Sequence, residues 1–176
     1  MEIGYYTEVE VHYTHHDFAA RHVAASLAEM IVSACFDVEV EHIGSTAVTG
    51  CAGKGIVDLL VLYPSGSQKA AREGLDQLGF QRHSGADSFP ESRPMRVGVV
   101  EHLGRLYRIH VHVVEAGSRE ARDMARFRDI LRESAVLRRA YEMEKCRILA
   151  QGISNGAEYA DAKGEFIRRV LQAYRF

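Results

Sequence analysis

The sequence predicts an α+β domain, with a mixed sheet flanked by helices and followed by a helical C-terminal portion. Three observations carry that expectation. Apolar residues recur at helical spacing near the N-terminus and again beyond residue 118. The run Ile56 to Leu62 is nearly all apolar, the character of a strand buried on both faces. Strand-like segments gather between about 38 and 114, with one helical stretch among them.

Residues 17–34 read as a helix. Asp17 is a candidate N-cap, and Phe18, Val23, Leu27, Met30, Ile31 and Ala34 form its apolar stripe. Val38 to Ile43 reads as a strand. Gly44 to Gly55 carries four glycines among hydroxyl residues, so it reads as a loop holding at most a short helix. The strand from Ile56 to Leu62 follows. Residues 67–78 suit a second helix stopped by Gly79. Phe80 to His83 suits a short strand, and Ser84 to Met95, with two prolines and a glycine, a loop. Arg96–His102 and Leu106–Val114 read as a hairpin turning at Leu103-Gly104-Arg105. Three helices close the chain at about 118–132, 135–150 and 157–174, with Ser118 and Ser134 as caps for the first two. No repeat or linker interrupts the 176 residues, so a single domain, 1–176, is expected.

Net charge is −2, which argues against a dedicated nucleic-acid binder. Cys35, Cys51 and Cys146 form no CxxC pair and read as reduced thiols of a cytoplasmic protein. No apolar leader is visible, and Ile56 to Tyr63 is too short to cross a bilayer. A small-molecule or nucleotide partner is expected, with no membrane; the sequence leaves the oligomeric state open.

The chemistry concentrates in Glu41-His42-Ile43-Gly44-Ser45-Thr46-Ala47-Val48 and in Asp58. A glycine followed by hydroxyls, after a strand, lets backbone N–H groups approach a phosphate. Asp58 is a carboxylate inside an apolar strand. A buried unpaired carboxylate is costly, so a cation, a metal or a donor cluster should face it.

An apolar-Gly-Ser followed about a dozen residues later by an Asp in an apolar strand resembles the motif of the nucleotidyltransferase fold. The longer block, with Gly50, Lys54 and Ile56-Val57-Asp58, resembles the signature of the GrpB family. Looser matches follow at His110-Val111-His112-Val113-Val114, Phe127-Arg128-Asp129, Tyr141 with Lys145, and Tyr159 with Lys163-Gly164-Glu165-Phe166-Ile167. The resemblance implies a nucleotidyltransferase-like mixed sheet. It also implies that Gly44, Ser45 and Thr46, with Lys54, Arg128, Lys145 and Lys163, contact a nucleoside triphosphate. Some members of the family are fused to dephospho-CoA kinase, which suggests a nucleotide setting.

Two departures bear on chemistry, one from the family's block and one from full nucleotidyltransferases. Gly55 stands where the family usually has proline. Full nucleotidyltransferases pair two strand carboxylates two residues apart to hold divalent metals, but here the second position is Leu60. The neighbouring strand that would supply a third acid carries His110 and His112 instead. The expected metal and catalytic set is therefore Asp58, His110 and His112. It would take Mg or Mn, or a transition metal that suits imidazole. Either histidine could instead act as a base.

Three readings follow: metal-dependent nucleotidyl transfer to a small acceptor; a non-catalytic nucleotide or coenzyme A binding domain; or a metal-dependent hydrolase or ligase built on Asp58, His110 and His112. A structural reading stands beside each residue. Gly44-Ser45 could be a turn, Asp58 could pair with Lys54, and the histidines could be hydrogen-bonded strand residues.

Overall fold

A computed structural model of the chain describes residues 1–7, 12–83, 90–153 and 156–174. Helix α1 (Ala20–Ala34) leads into strand β1 (Glu39–Ile43) and one turn of 3-10 helix, Ser45–Ala47. Strand β2 (Val57–Tyr63), helix α2 (Gln68–Gln77), and strands β3 (Gln81–Arg82), β4 (Met95–His102) and β5 (Arg105–Glu115) follow. Helices α3 (Arg119–Glu133), α4 (Ala135–Ala150) and α5 (Gly156–Ala173) close the chain.

The strands form one mixed sheet in the order β1-β2-β5-β4-β3. Among the described strands only the β2–β5 pair is parallel. That pairing follows from the crossover through α2. Apolar residues on both faces of β2 explain its central position. Val57, Leu59, Val61 and Tyr63 pack with Ile109, Val111 and Val113 of β5 under α1 and α2. On the other face, Leu60 and Leu62 pack with Ile43, Val114 and Ala121 beneath α3.

The sequence-based elements lie close to those observed, and the differences have local causes. Helix α1 starts at Ala20, three residues after Asp17, whose carboxylate is shared. It accepts the Ala19 N–H at 2.9 Å and the Tyr107 hydroxyl at 2.8 Å, and it pairs with Arg105. The hairpin turn is one residue shorter than expected. Leu103 and Gly104 both have positive φ, 53° and 74°, the two-residue turn that matches strand twist, so Arg105 already pairs with His102. Ser118 and Ser134 cap α3 and α4, accepting the N–H groups of Ala121 and Leu137. Of the expected loop Ser84 to Met95, residues 84–89 lie outside the described residues, and Met95 is the first residue of β4.

No helix among the described residues is long and apolar enough to cross a membrane. All three cysteines are free thiols.

Candidate functional site

The parallel register of β2 and β5 sets Asp58 beside His110 and Leu60 beside His112. All four side chains therefore project from the sheet face that α3 partly covers. Beyond the edge of α3, this face opens into a cleft of about 990 Å³. Ser45, Asp58, His110, His112, Lys145 and Lys163 all line it, together with Gly44, Lys54 and Arg128.

Asp58 is held at the floor. His110 Nδ1 and His112 Nε2 each face its Oδ1 from 3.7 Å. Burial alone would raise the Asp58 carboxyl, but His112, then His110, outweigh it and hold the carboxyl below its usual range. Burial pushes His110 down to about 3, against the pull of Asp58, so its ring is neutral near pH 7. The far nitrogen of that ring, Nε2, lies 2.9 Å from the Tyr6 hydroxyl. A proton on Nδ1 would face Asp58 and leave Nε2 to accept from Tyr6.

Gly44 is shaped for this aspartate. Its φ of +72° lies in the left-handed region that glycine adopts freely. A Cβ there would collide with Asp58 Oδ2 and stand 3.0 Å from the carboxyl carbon. Gly53 does the same for Ser45, because a Cβ there would lie 2.9 Å from the Ser45 hydroxyl oxygen. Gly55 has φ +70°, which the ring of proline forbids, so this chain leads into β2 by a path closed to a proline at that position.

The cations arrive from the C-terminal helices. Lys145 is buried, with 1% of its surface exposed. Its ammonium donates to Ser45 Oγ at 3.1 Å and to the Ala52 carbonyl, and it sits 4.4 Å from the Tyr141 ring centre. Burial lowers its pKa. Lys163 sits 4.8 Å from the Tyr159 ring centre, and Lys54 shares that ring at 5.1 Å. Burial, then the neighbouring Lys54, push Lys163 down to about 8, against the pull of Asp58. Both helices thus use a tyrosine four residues before the lysine to support its ammonium on an aromatic face.

Thr46 and Arg128, expected to touch phosphate, have their groups engaged within the protein, as Lys145 does through Ser45 and Ala52. The Thr46 hydroxyl is buried, donates to the Ile56 carbonyl at 3.0 Å and accepts from His42 Nε2 at 3.0 Å. It therefore ties the loop to β2. Arg128 bonds Asp129, Glu41 and the His42 carbonyl, which joins α3 to the edge strand.

Leu60 is fully buried under α3, so the position that would carry a second carboxylate is part of the core. Among the described residues, no group of three or more His, Cys, Asp or Glu is arranged to hold a metal ion. The donor set does not fit a two-metal centre, which needs several hard oxygen ligands.

His83 and Met95 line the cleft without having been singled out in the sequence. Tyr6 was not singled out either; its hydroxyl meets His110 from the N-terminal segment, where Gly4 bridges to Val99 of β4. Tyr141 and Tyr159, which the sequence paired with Lys145 and Lys163, also line the cleft.

A mixed sheet with this strand order, a Gly-Ser turn after β1 and an aspartate on β2 defines a nucleotidyltransferase-like fold. Poly (U) polymerase Cid1 in its MgGTP-bound structure shares that fold with a TM-score of 0.50 at 17% identity, over 74% of this chain and 42% of that one. The family model described as GrpB protein matches residues 8–173, and the chain belongs to the GrpB family. The crystal structure of the conserved protein GrpB from Enterococcus faecalis superposes with a TM-score of 0.58 at 21% identity, covering 91% of this chain and 99% of that one. A UPF0157 protein of Streptomyces coelicolor is 35% identical over 140 residues, covering 76% of this chain and 67% of that protein. A UPF0157 protein of Deinococcus radiodurans is 33% identical over 132 residues, covering 75% and 65%. The chain spans about two thirds of the length of these curated relatives.

Proposed function

We propose that the cleft binds a nucleoside triphosphate and that the chain transfers its nucleotidyl group to a small acceptor. The observation that carries this reading is the convergence of the Ser45 hydroxyl, Lys145 and Lys163 beside Asp58. Phosphate oxygens would accept from Ser45 and from the backbone at Gly44–Ser45. Lys145 and Lys163 would offset the phosphate charge. The cleft volume lies near the top of the range for small-molecule sites, roughly 300–1,000 Å³.

A single divalent ion carried by the nucleotide fits Asp58 as one oxygen ligand, the others coming from phosphate and water. Bound there, it would neutralise charge on the phosphates. The acceptor oxygen or nitrogen would attack the α-phosphorus in line, the bond to the β-phosphate bridging oxygen would break, and pyrophosphate would leave. His112 is the candidate to take the acceptor proton. His110, pushed down to about 3, is too weak a base for that task near pH 7.

The test is pyrophosphate release from each of the four nucleoside triphosphates with Mg²⁺ or Mn²⁺ and a panel of small alcohols, amines and phosphorylated acceptors. Release that Asp58→Asn abolishes supports transfer. Binding without release in any combination supports the second reading, a nucleotide or coenzyme A binding domain, which the buried Leu60 favours. No binding removes both.

A further inference from the structure

A second cavity, of about 300 Å³, lies on the reverse side of the Gly44–Ala47 loop. Ser45 lines the cleft, whereas the next two residues, Thr46 and Ala47, line this cavity. The two linings share no residue. His42, another lining residue, pairs in register with Leu59 and so projects from the sheet face opposite Asp58.

The cavity is cationic. Arg21 of α1, Arg132 of α3 and Arg138 of α4 border it, and among the described residues no aspartate or glutamate lines it. Arg132 donates to the Ala47 carbonyl at 3.0 Å and is partly balanced by Asp129. The guanidinium groups of Arg21 and Arg138 have no hydrogen-bond or ion-pair partner among the described residues. His16, also in the lining, carries a buried Nδ1 with no hydrogen-bond partner among the described residues. Burial pushes His42 down to about 4, against Asp58, and Arg132, Arg128 and His16 push the same way, as expected where positive charge accumulates.

Like charges held around a concavity repel unless an anion offsets them. Guanidinium forks match phosphate oxygens two at a time. The volume sits at the low end for ligand sites, about 300 Å³, which suits an oxyanion with no nucleoside attached. We propose that this cavity is a binding site for a small phosphate-class anion, phosphate or pyrophosphate, distinct from the cleft. The inference stands on residues that the cleft reading does not use.

The test is calorimetric titration of the full chain with inorganic pyrophosphate and, separately, inorganic phosphate at low ionic strength. Three proteins are compared: wild type, Arg21→Ala/Arg138→Ala, and Lys163→Ala. Arg138→Gln alone is a milder third variant, and thermal unfolding confirms that each is folded. The expected result is binding to wild type and Lys163→Ala, weakened at least tenfold in the double variant and measurably in Arg138→Gln. A preference for pyrophosphate over phosphate, or the reverse, assigns the size of the anion. Equal binding in wild type and both arginine variants overturns the proposal. Binding lost only in Lys163→Ala, or absent from wild type for both anions, overturns it as well.

Discussion

Gly44 and Asp58 interlock: the glycine has no Cβ where the carboxylate of Asp58 lies, and its φ of +72° keeps the turn in a conformation that other residues rarely adopt. The phosphate-type loop and the strand aspartate are therefore one unit, not two neighbouring features. Gly44→Ala should cost about 1–3 kcal/mol from backbone strain alone, with more from the clash. Combining it with Asp58→Ala should recover the clash but not the strain. Chemical denaturation of the two single variants and the double variant measures this coupling; strictly additive losses would mean the two residues do not touch.

Leu60 allows a sharper test of the missing carboxylate. Leu60→Asp restores on paper the acidic spacing of full nucleotidyltransferases, yet the side chain lies in the core beneath α3 with Ile43, Leu62, Val114 and Ala121. An unpaired charge there should destabilise the fold by about 3–5 kcal/mol. Denaturation midpoints check it. A folded Leu60→Asp protein with increased Mg²⁺ affinity would show that position 60 reaches the cleft.

Lys163 should confer a pH dependence on phosphate binding. Its ammonium, pushed down to about 8, is charged at pH 7 and loses its proton as pH rises through that value. Affinity for a triphosphate should fall between pH 7 and 9. Lys163→Arg should stay flat across that range, because arginine holds its proton there. An identical decline in both proteins would assign the titration to another group.

Stability should respond to acid through His110 and His42. Both have folded pKa values below the ordinary 6.5, at about 3 and about 4. Above pH 6.5 neither the folded nor the unfolded state takes up these protons. As pH falls below 6.5, the unfolded chain binds protons that the folded chain refuses, so stability falls. Between pH 6.5 and 5 the loss should be about 1.6 kcal/mol for each histidine. His110→Gln should flatten that slope by about half, as read from urea midpoints at four pH values.

Much of the fold was legible because its signals are local. The apolar face of α1, the serines at 118 and 134 and the run Ile56–Leu62 each state their structure within a few residues. Asp58 stood out as a charge in an apolar strand. Leu60 did not reveal its packing, because β2 is apolar on both faces and sequence alone does not assign which helix covers which side. Thr46 read as a phosphate ligand because the motif cannot show that Ile56 and His42 engage its hydroxyl. Lys145 reaches Ser45 across 100 positions of chain, a contact that depends on how α4 packs back over the loop. Asp17 read as a cap, yet Tyr107 and Arg105 share it, partners that the hairpin brings from far along the sequence.

The most direct measurement is calorimetric titration of the chain with nucleoside triphosphates in Mg²⁺, repeated on Ser45→Ala, Lys145→Met and Lys163→Met. The expected result is saturable binding at one cleft site, weakened roughly tenfold or more by each lysine substitution, about 1.4 kcal/mol, and less by Ser45→Ala. Triphosphate binding that is unchanged in both lysine variants, or absent from the wild-type chain for all four nucleotides, would contradict the assignment of the cleft.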